Sequence, residues 1–358
     1  MRKFIKFIFS RSKLLFNQNI KFLKTFLFNY FNLIKYKFYK IKNKKNFKNI
    51  KIKNNLTNKE YTFSNKYRVF FIYRSFRKYN ASTVMRVFQL QKILKEEGGI
   101  NAEIIDEKSI NNIHESICIL NKSFLIDATS EEFEILNSNK NILCLDYIDS
   151  KEKLFQIKYS HCLIASSIKQ LLLFKKKYKS YLTHLITHHV DPRIKKIDKK
   201  VKCLRIGYFG EKKNGLYIDK LNNFIEPYFI KTNIESDKTW FKEINNFNAH
   251  YIARRIIDKK IKKPFLKGFT AAFTSSNIIV CREEGDSLFY LTEDYPYLMK
   301  DRSLESVIKM IEYMKSTYNS KIWFNGLEIM KNVESKSNNQ FIINEFKNLI
   351  ISIFSSRF

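Results

Sequence analysis

Residues 68–73, Arg-Val-Phe-Phe-Ile-Tyr, form an apolar run of strand length that leads through a polar loop into residues 82–94. In that segment Val84, Val87, Phe88 and Leu94 fall on one side at helical spacing, Ser82 or Thr83 is placed to cap the start, and Gly98-Gly99 ends it. Residues 102–105 read as the next strand and complete a strand, helix, strand unit. Short apolar runs recur at 117–120, 142–145, 163–165 and 185–187. Strands separated by helical segments imply a parallel sheet, because a parallel connection has to cross the sheet face.

The rhythm restarts after Asp191-Pro192 and the charged stretch 195–202. Residues 204–208 make a new first strand, and 228–231, 251–253 and 277–280 continue a second sheet. From Leu304 the pattern is helical, and the final segment carries Ile342, Phe346, Leu349, Ile350 and Phe354 at helical spacing. The pattern predicts α/β architecture: a doubly wound domain over 67–194, a second over 195–330, and a C-terminal helix within 331–358. No internal repeat points to a solenoid.

Composition agrees with two cores, since 358 residues at 44% hydrophobic content suffice for two domains of about 100–200 residues each. Charge adds a third region. Residues 1–66 hold 18 Lys or Arg against one acidic residue, Glu60, and so carry over half of the formal +32. Such a tail attracts nucleic acid or anionic lipid. Its interspersed Phe4, Ile5, Phe7, Ile8, Leu14, Leu15 and Phe16 favour lipid. No window approaches the roughly 18–20 apolar residues that cross a bilayer, so the expectation is a basic amphipathic helical tail lying on a membrane surface.

Lys3, Lys6, Arg11 and Lys13 interrupt any signal-peptide core, and no small-residue cleavage site follows. The expected location is therefore cytoplasmic, peripheral at the inner face of the membrane. Residues 40–59, rich in Lys, Asn and Ile, read as a solvated linker. A genome biased toward Lys, Asn, Ile and Phe explains much of the charge, and neither RNP motifs nor zinc-finger spacings occur. No nucleic-acid partner is expected, although a basic nucleic-acid-binding protein remains the rival class. The five cysteines form no CxxC pair or metal spacing and read as reduced core residues.

The most informative chemistry is Lys263-Pro-Phe-Leu-Lys267-Gly-Phe-Thr-Ala271-Ala272, followed by the 277–280 strand. Pro264 suits the first turn of a helix, whose N–H groups and dipole can meet a phosphate. Lys263 and Lys267, four apart, would share a face where cations oppose the dipole. An anionic ligand would explain them; solvated lysines are the alternative.

Lys263-Pro-x-x-Lys267, Ala271-Ala272, Arg282-Glu283-Glu284 and Asp294-Tyr-Pro-Tyr297, in that order, resemble the donor half of bacterial GT-B glycosyltransferases of the group 1 type. Leu204-Arg-Ile-Gly-Tyr-Phe-Gly210 with Asn214 is similar to the first strand and loop of that half, and Asn248-Ala-His-Tyr-Ile-Ala-Arg-Arg255 to the strand before the lysine motif. The resemblance covers 204–300 by motif and 68–190 by fold.

It implies two Rossmann-like domains, the first for an acceptor and the second for a nucleotide-diphosphate sugar as co-substrate, with no metal or further cofactor. It also implies that Lys267 and Arg255 neutralise the donor diphosphate, with Lys263 or Arg254 assisting, because the leaving nucleotide gains negative charge. Side chains alternate along a strand, so only one of Arg254 and Arg255 is expected in the cleft.

The chain departs from the family's Glu, seven residues, Glu pattern: Leu291 and Thr292 stand eight positions after Glu283 and Glu284. Either glutamate is a ribose ligand or a surface residue, and a retaining mechanism is not implied. Gly207 and Gly210 either admit the donor phosphates or simply make a turn. His188-His189-Val-Asp191 follows a predicted strand, at the carboxyl edge where such sheets bind ligands. These three acidic or imidazole groups are candidates for activating an acceptor hydroxyl, or a polar loop at the domain junction. Arg74 and Arg77 stand ready for donor phosphate, an acidic acceptor or solvent; Tyr290, Tyr295 and Tyr297 read as packing residues. The expected function is hexosyl-type transfer from a nucleotide sugar to a cell-surface glycan or lipid-linked acceptor in polysaccharide biosynthesis. The alternative within the same fold is an inactive GT-B scaffold.

Overall fold

The structure is a computed structural model that describes residues 68–197, 201–231, 240–255 and 262–355. The basic tail and linker read at 1–66 lie outside the described residues. Strands β1 (Val69–Tyr73), β2 (Ala102–Asp106), β3 (Ile117–Asn121), β4 (Ile142–Asp146), β5 (Cys162–Ala165) and β6 (Leu182–Leu185) form one sheet in the order β2-β1-β3-β4-β5-β6. Strands β7 (Ile206–Gly210), β8 (Glu226–Phe229), β9 (Ala249–Tyr251), β10 (Asn277–Cys281) and β11 (Leu298–Met299) form a second, in the order β11-β10-β9-β7-β8. Every neighbouring pair in both sheets is parallel. The α/β reading thus holds for both halves, and β3, β4 and β5 are buried throughout, as strands covered on both faces must be.

Four predicted strands are displaced, two of them because a backbone group finds another partner. The 185–187 strand is β6 and ends at Leu185, since the Thr187 N–H goes to the Glu345 carboxylate. The 251–253 strand is β9 and ends at Tyr251: the Ala253 carbonyl accepts from Leu216, and the Arg255 N–H donates to Asn214. The 228–231 strand is β8, shifted two residues earlier, and the 204–208 strand is β7, shifted two residues later.

The first helix runs through Ala81–Thr83, Val84–Gln89 and Leu90–Glu96, with its middle stretch wound as π-helix. Its N-cap is Asn80, which makes no side-chain cap bond; Ser82 and Thr83 lie inside the helix and do not cap it. In the π stretch, Arg86 is buried and paired with Asp146 at 2.9 Å. Such single π turns are frequent at functional sites.

The helix Asn339–Ser355 packs on the first sheet, not on the second lobe that precedes it. Ile342, Phe346, Leu349 and Ile353 are buried with Val69, Phe71 and Ile117, and the Phe71 and Phe346 rings lie 5.9 Å apart. The chain therefore crosses back to the lobe it built first. Tyr290, Tyr295 and Tyr297 are buried in the second lobe's core. Four cysteines are buried, but Cys203 is exposed just before β7, so it is not a core residue. Among the described residues no helix is long and apolar enough to cross a membrane.

Candidate functional site

In each sheet the second strand in space is the first in sequence. The chain leaves β1 for β2 on one side and returns past it to β3; it leaves β7 for β8 and returns to β9. The carboxyl ends of β1 and β3, and of β7 and β9, are therefore topological switch points, where the connections diverge and leave a crevice. The two crevices face one cleft. A cavity of about 880 Å³ is lined from the first lobe by Arg77, Asn80, Lys122, Asp149, Lys169 and His188, and from the second by Gly210, Arg254, Arg255, Lys263, Lys267, Glu283 and Glu284. A second cavity of about 510 Å³ adjoins it. Tyr79, Phe88, Phe209, Ile230, Trp240 and Ile252 make it largely apolar, and Met85, Gly210, Leu266 and Lys267 border both cavities.

Lys267 is the second residue of the helix Leu266–Phe273. Part of its stem opens on the cleft, but its Nζ is shut away from solvent and has no hydrogen-bond partner. It rests over the Tyr208 ring at 4.1 Å from the centroid. Burial, and then Arg254, push its ammonium down to about 7. Gly210 is what allows this: a Cβ there would stand 2.7 Å from the Lys267 Nζ. Gly207 plays no such part, because it lies within β7 where a Cβ would meet the Phe209 and Phe247 rings; it is a packing glycine outside the cleft.

Lys263 does not share a helix face with Lys267. The helix begins at Leu266 with Phe265 as its N-cap, so Pro264 and Lys263 precede it. The Lys263 ammonium reaches the first lobe and pairs with Asp149, which also accepts from Lys122 at 2.5 Å. Burial would raise the Asp149 carboxyl, yet Lys122 and Lys263 outweigh it and hold it at about 2. Ile148, just before it, has φ of 58°, strained for a β-branched residue. Strain of this kind tends to collect at functional sites.

Both Arg254 and Arg255 line the cleft, contrary to the strict alternation expected of a strand. The reason is that β9 has already ended, and Arg254 forms an isolated antiparallel bridge with Gly215. Glu284 is buried between two arginines: it accepts from the Arg254 N–H at 3.2 Å and from Arg302 at 3.3 Å, and pairs with the Arg254 side chain. Arg302 also donates to the Arg254 carbonyl at 2.6 Å. Glu284 is thus an orienting group for Arg254, whereas Glu283 is exposed at the cleft edge.

On the first lobe, His188 lines the cavity with its ring fully enclosed and neither nitrogen partnered. Burial, reinforced by Arg86 and His189, depresses its pKa well below 6.5, so the ring is neutral at pH 7. His189 turns the other way: its Nε2 meets Gln89 at 3.1 Å, and it lines neither cavity. Asp191 borders the apolar cavity, where Arg193 and Gln89 hold it. Arg74 is buried against Glu132 and does not line the cleft, while Arg77 does, paired with Asp127.

Sequence reasoning missed Lys122, Asp149, Lys169, Asp286 and Arg302. Lys122 follows β3 directly, so the switch-point rule applied to that strand would have found it. Nothing local marks Arg302. Asp286 acts across the lobes, accepting from the N–H groups of Ile168 (2.5 Å) and Lys169 (3.1 Å) at the start of the helix Ile168–Lys177. Among the described residues no group of three or more His, Cys, Asp or Glu is placed to hold a metal ion.

Two doubly wound lobes that face each other across a ligand-sized cleft, with a last helix returning to the first lobe, define the GT-B architecture. Solved structures share it. HepE of Anabaena, in complex with UDP, matches with a TM-score of 0.56 and 11% identity over 80% of this chain and 100% of that one. A glycosyltransferase of Rickettsia africae matches at 0.56 and 10% identity over 81% and 99%. Sucrose-phosphate synthase of Thermosynechococcus elongatus matches at 0.54 and 10% over 81% and 100%. No family pattern and no curated protein matches the chain in sequence. The likeness is one of fold.

Proposed function

We propose that this chain is a glycosyltransferase which binds a nucleotide-diphosphate sugar against its second lobe and transfers the sugar to a hydroxyl acceptor held by the first. One observation carries the reading: the enclosed, unpartnered Lys267 ammonium at the junction of an aromatic chamber and a cationic cavity. A buried cation without an acceptor is costly, and a diphosphate supplies the missing charge. The aromatic chamber suits a planar base, and the cationic cavity suits the diphosphate and sugar. Arg254, Arg255 and the N-terminal end of the Leu266–Phe273 helix stand beside Lys267 to neutralise the leaving group.

In the transfer, the bond from the anomeric carbon to the β-phosphate oxygen breaks, the acceptor oxygen bonds to that carbon, and the nucleoside diphosphate departs. The acceptor's proton passes to a base, and neutral His188, which lines the cavity, is the candidate for that role. Burial opposes the imidazolium, so the dianionic nucleotide would help by offsetting the surrounding cations. Uridine is the first nucleotide to test, because HepE holds UDP. The basic amphipathic pattern of residues 1–66 supports an acceptor at an anionic membrane surface, a lipid-linked or cell-surface glycan precursor.

Thermal-shift titration with UDP, GDP, ADP, CMP and their sugar conjugates tests this on the full chain and on Lys267→Ala. Stabilisation by one nucleotide diphosphate, lost in the variant, is the expected result. No shift with any nucleotide, together with tight salt-sensitive RNA binding, would overturn it. Binding without turnover of any conjugate would mark an inactive scaffold.

A further inference from the structure

The His188 ring has no hydrogen-bond partner of its own, so its direction depends on the backbone that carries it. That backbone is held on both sides. From the first helix, Arg86 donates to the carbonyls of Ile186 (2.9 Å) and Thr187 (3.3 Å) while Asp146 holds its guanidinium. From the last helix, the Glu345 carboxylate accepts from the Thr187 N–H at 2.7 Å and from the Thr187 hydroxyl at 3.0 Å. His184, four residues before His188, meets the Glu345 carbonyl at 2.9 Å. Every polar group of Thr187 is therefore engaged, and the next residue is the one that faces the cleft.

We propose that Glu345 is a positioning residue for His188, so that the end of the chain sets the geometry of the acceptor side of the cleft. The role in transfer rests on the function proposed above; the positioning itself does not. Anchoring the helix does not require a carboxylate. Ile342, Phe346, Leu349 and Ile353 already bury that helix against the sheet, and an apolar side chain at 345 would pack there without desolvating a charge. The burial cost is visible in Glu345 itself, whose carboxyl it raises to about 7. What the carboxylate adds is direction: two acceptor oxygens that fix one residue's N–H and hydroxyl at once.

The test follows the histidine ring signals of the full chain by proton–carbon NMR, with the His188 signal assigned by its loss in His188→Gln. Glu345→Ala is compared with Phe346→Ala, which weakens the same helix without touching Thr187. If Glu345 positions His188, Glu345→Ala shifts the His188 signal and makes it titrate closer to the ordinary histidine range of about pH 6.5, and Phe346→Ala does neither. An unmoved signal in Glu345→Ala, or an equal response in Phe346→Ala, overturns the inference. Nucleotide affinity read on the same samples separates the two readings. If wild type binds no nucleotide, the transferase reading fails while the His188 response still decides the role of Glu345.

Discussion

Lys267 is a residue whose burial costs stability in the ligand-free fold, a cost that the proposed donor site would explain. Its ammonium is pushed from the ordinary 10.5 to about 7 in the folded chain. Between those values the unfolded chain binds more protons than the folded one, so stability rises with pH across that window and the full cost is present below about pH 7. Replacing Lys267 with Met is expected to remove nucleotide binding and stabilise the ligand-free protein, by about 1–3 kcal/mol. The gain should be larger at about pH 6 than at about pH 9. Scanning calorimetry of wild type and variant at both pH values decides it: a variant that melts below wild type at the acid end would mean that the ammonium is satisfied inside the fold. Gly210 belongs to the same device, since a side chain there would occupy the space of the Lys267 ammonium.

Among the elements, the last helix does the most unexpected work. Its apolar spacing was legible in the sequence, but not the sheet it covers, because an amphipathic face specifies only that it must be buried. Phe346, 1% exposed and stacked on Phe71, is the centre of that contact. Phe346→Ala should cost about 3–5 kcal/mol, the usual range for an aromatic removed from a packed core, with a proportionate fall in the urea midpoint. A loss under about 1 kcal/mol would mean that the helix is only loosely docked. The first helix offers the complementary case. Its periodicity predicts a regular helix, while the structure winds a π stretch around buried Arg86, which the hydrophobic pattern does not encode.

At the scale of the whole molecule, the two lobes meet through polar clasps. Asp286 of the second lobe receives the first N–H groups of the helix Ile168–Lys177, and Asp149 of the first receives Lys263. Asp286→Ala removes one clasp without touching Lys267 or the apolar chamber. It is expected to enlarge the radius of gyration measured by small-angle scattering and to weaken nucleotide binding, with a stability loss of about 1 kcal/mol, as for a lost helix cap. An unchanged radius would show that the remaining contacts hold the lobes by themselves.

The sequence by itself determined the two parallel sheets, because strand and helix periodicities are local properties written in runs of five to fifteen residues or so. It also marked the lysine motif before β10 as a candidate for meeting a phosphate, through the order of a few residue types. What it did not determine is which charges remain unpaired, since that depends on partners far away in the chain. Lys263 and Lys267 look equivalent in sequence; Asp149, 114 residues before Lys263, claims one, and the other is left enclosed above Tyr208. Arg254 and Arg255 both reach the cleft only because β9 stops early to pair with the loop after β7. The neighbouring His188 and His189 are separated in the same way: one faces the cleft and the other is held by Gln89. Hydrophobic patterning acts over a few residues and fixes the elements; the fate of a charge is decided by whatever the folded chain brings within hydrogen-bond reach of it.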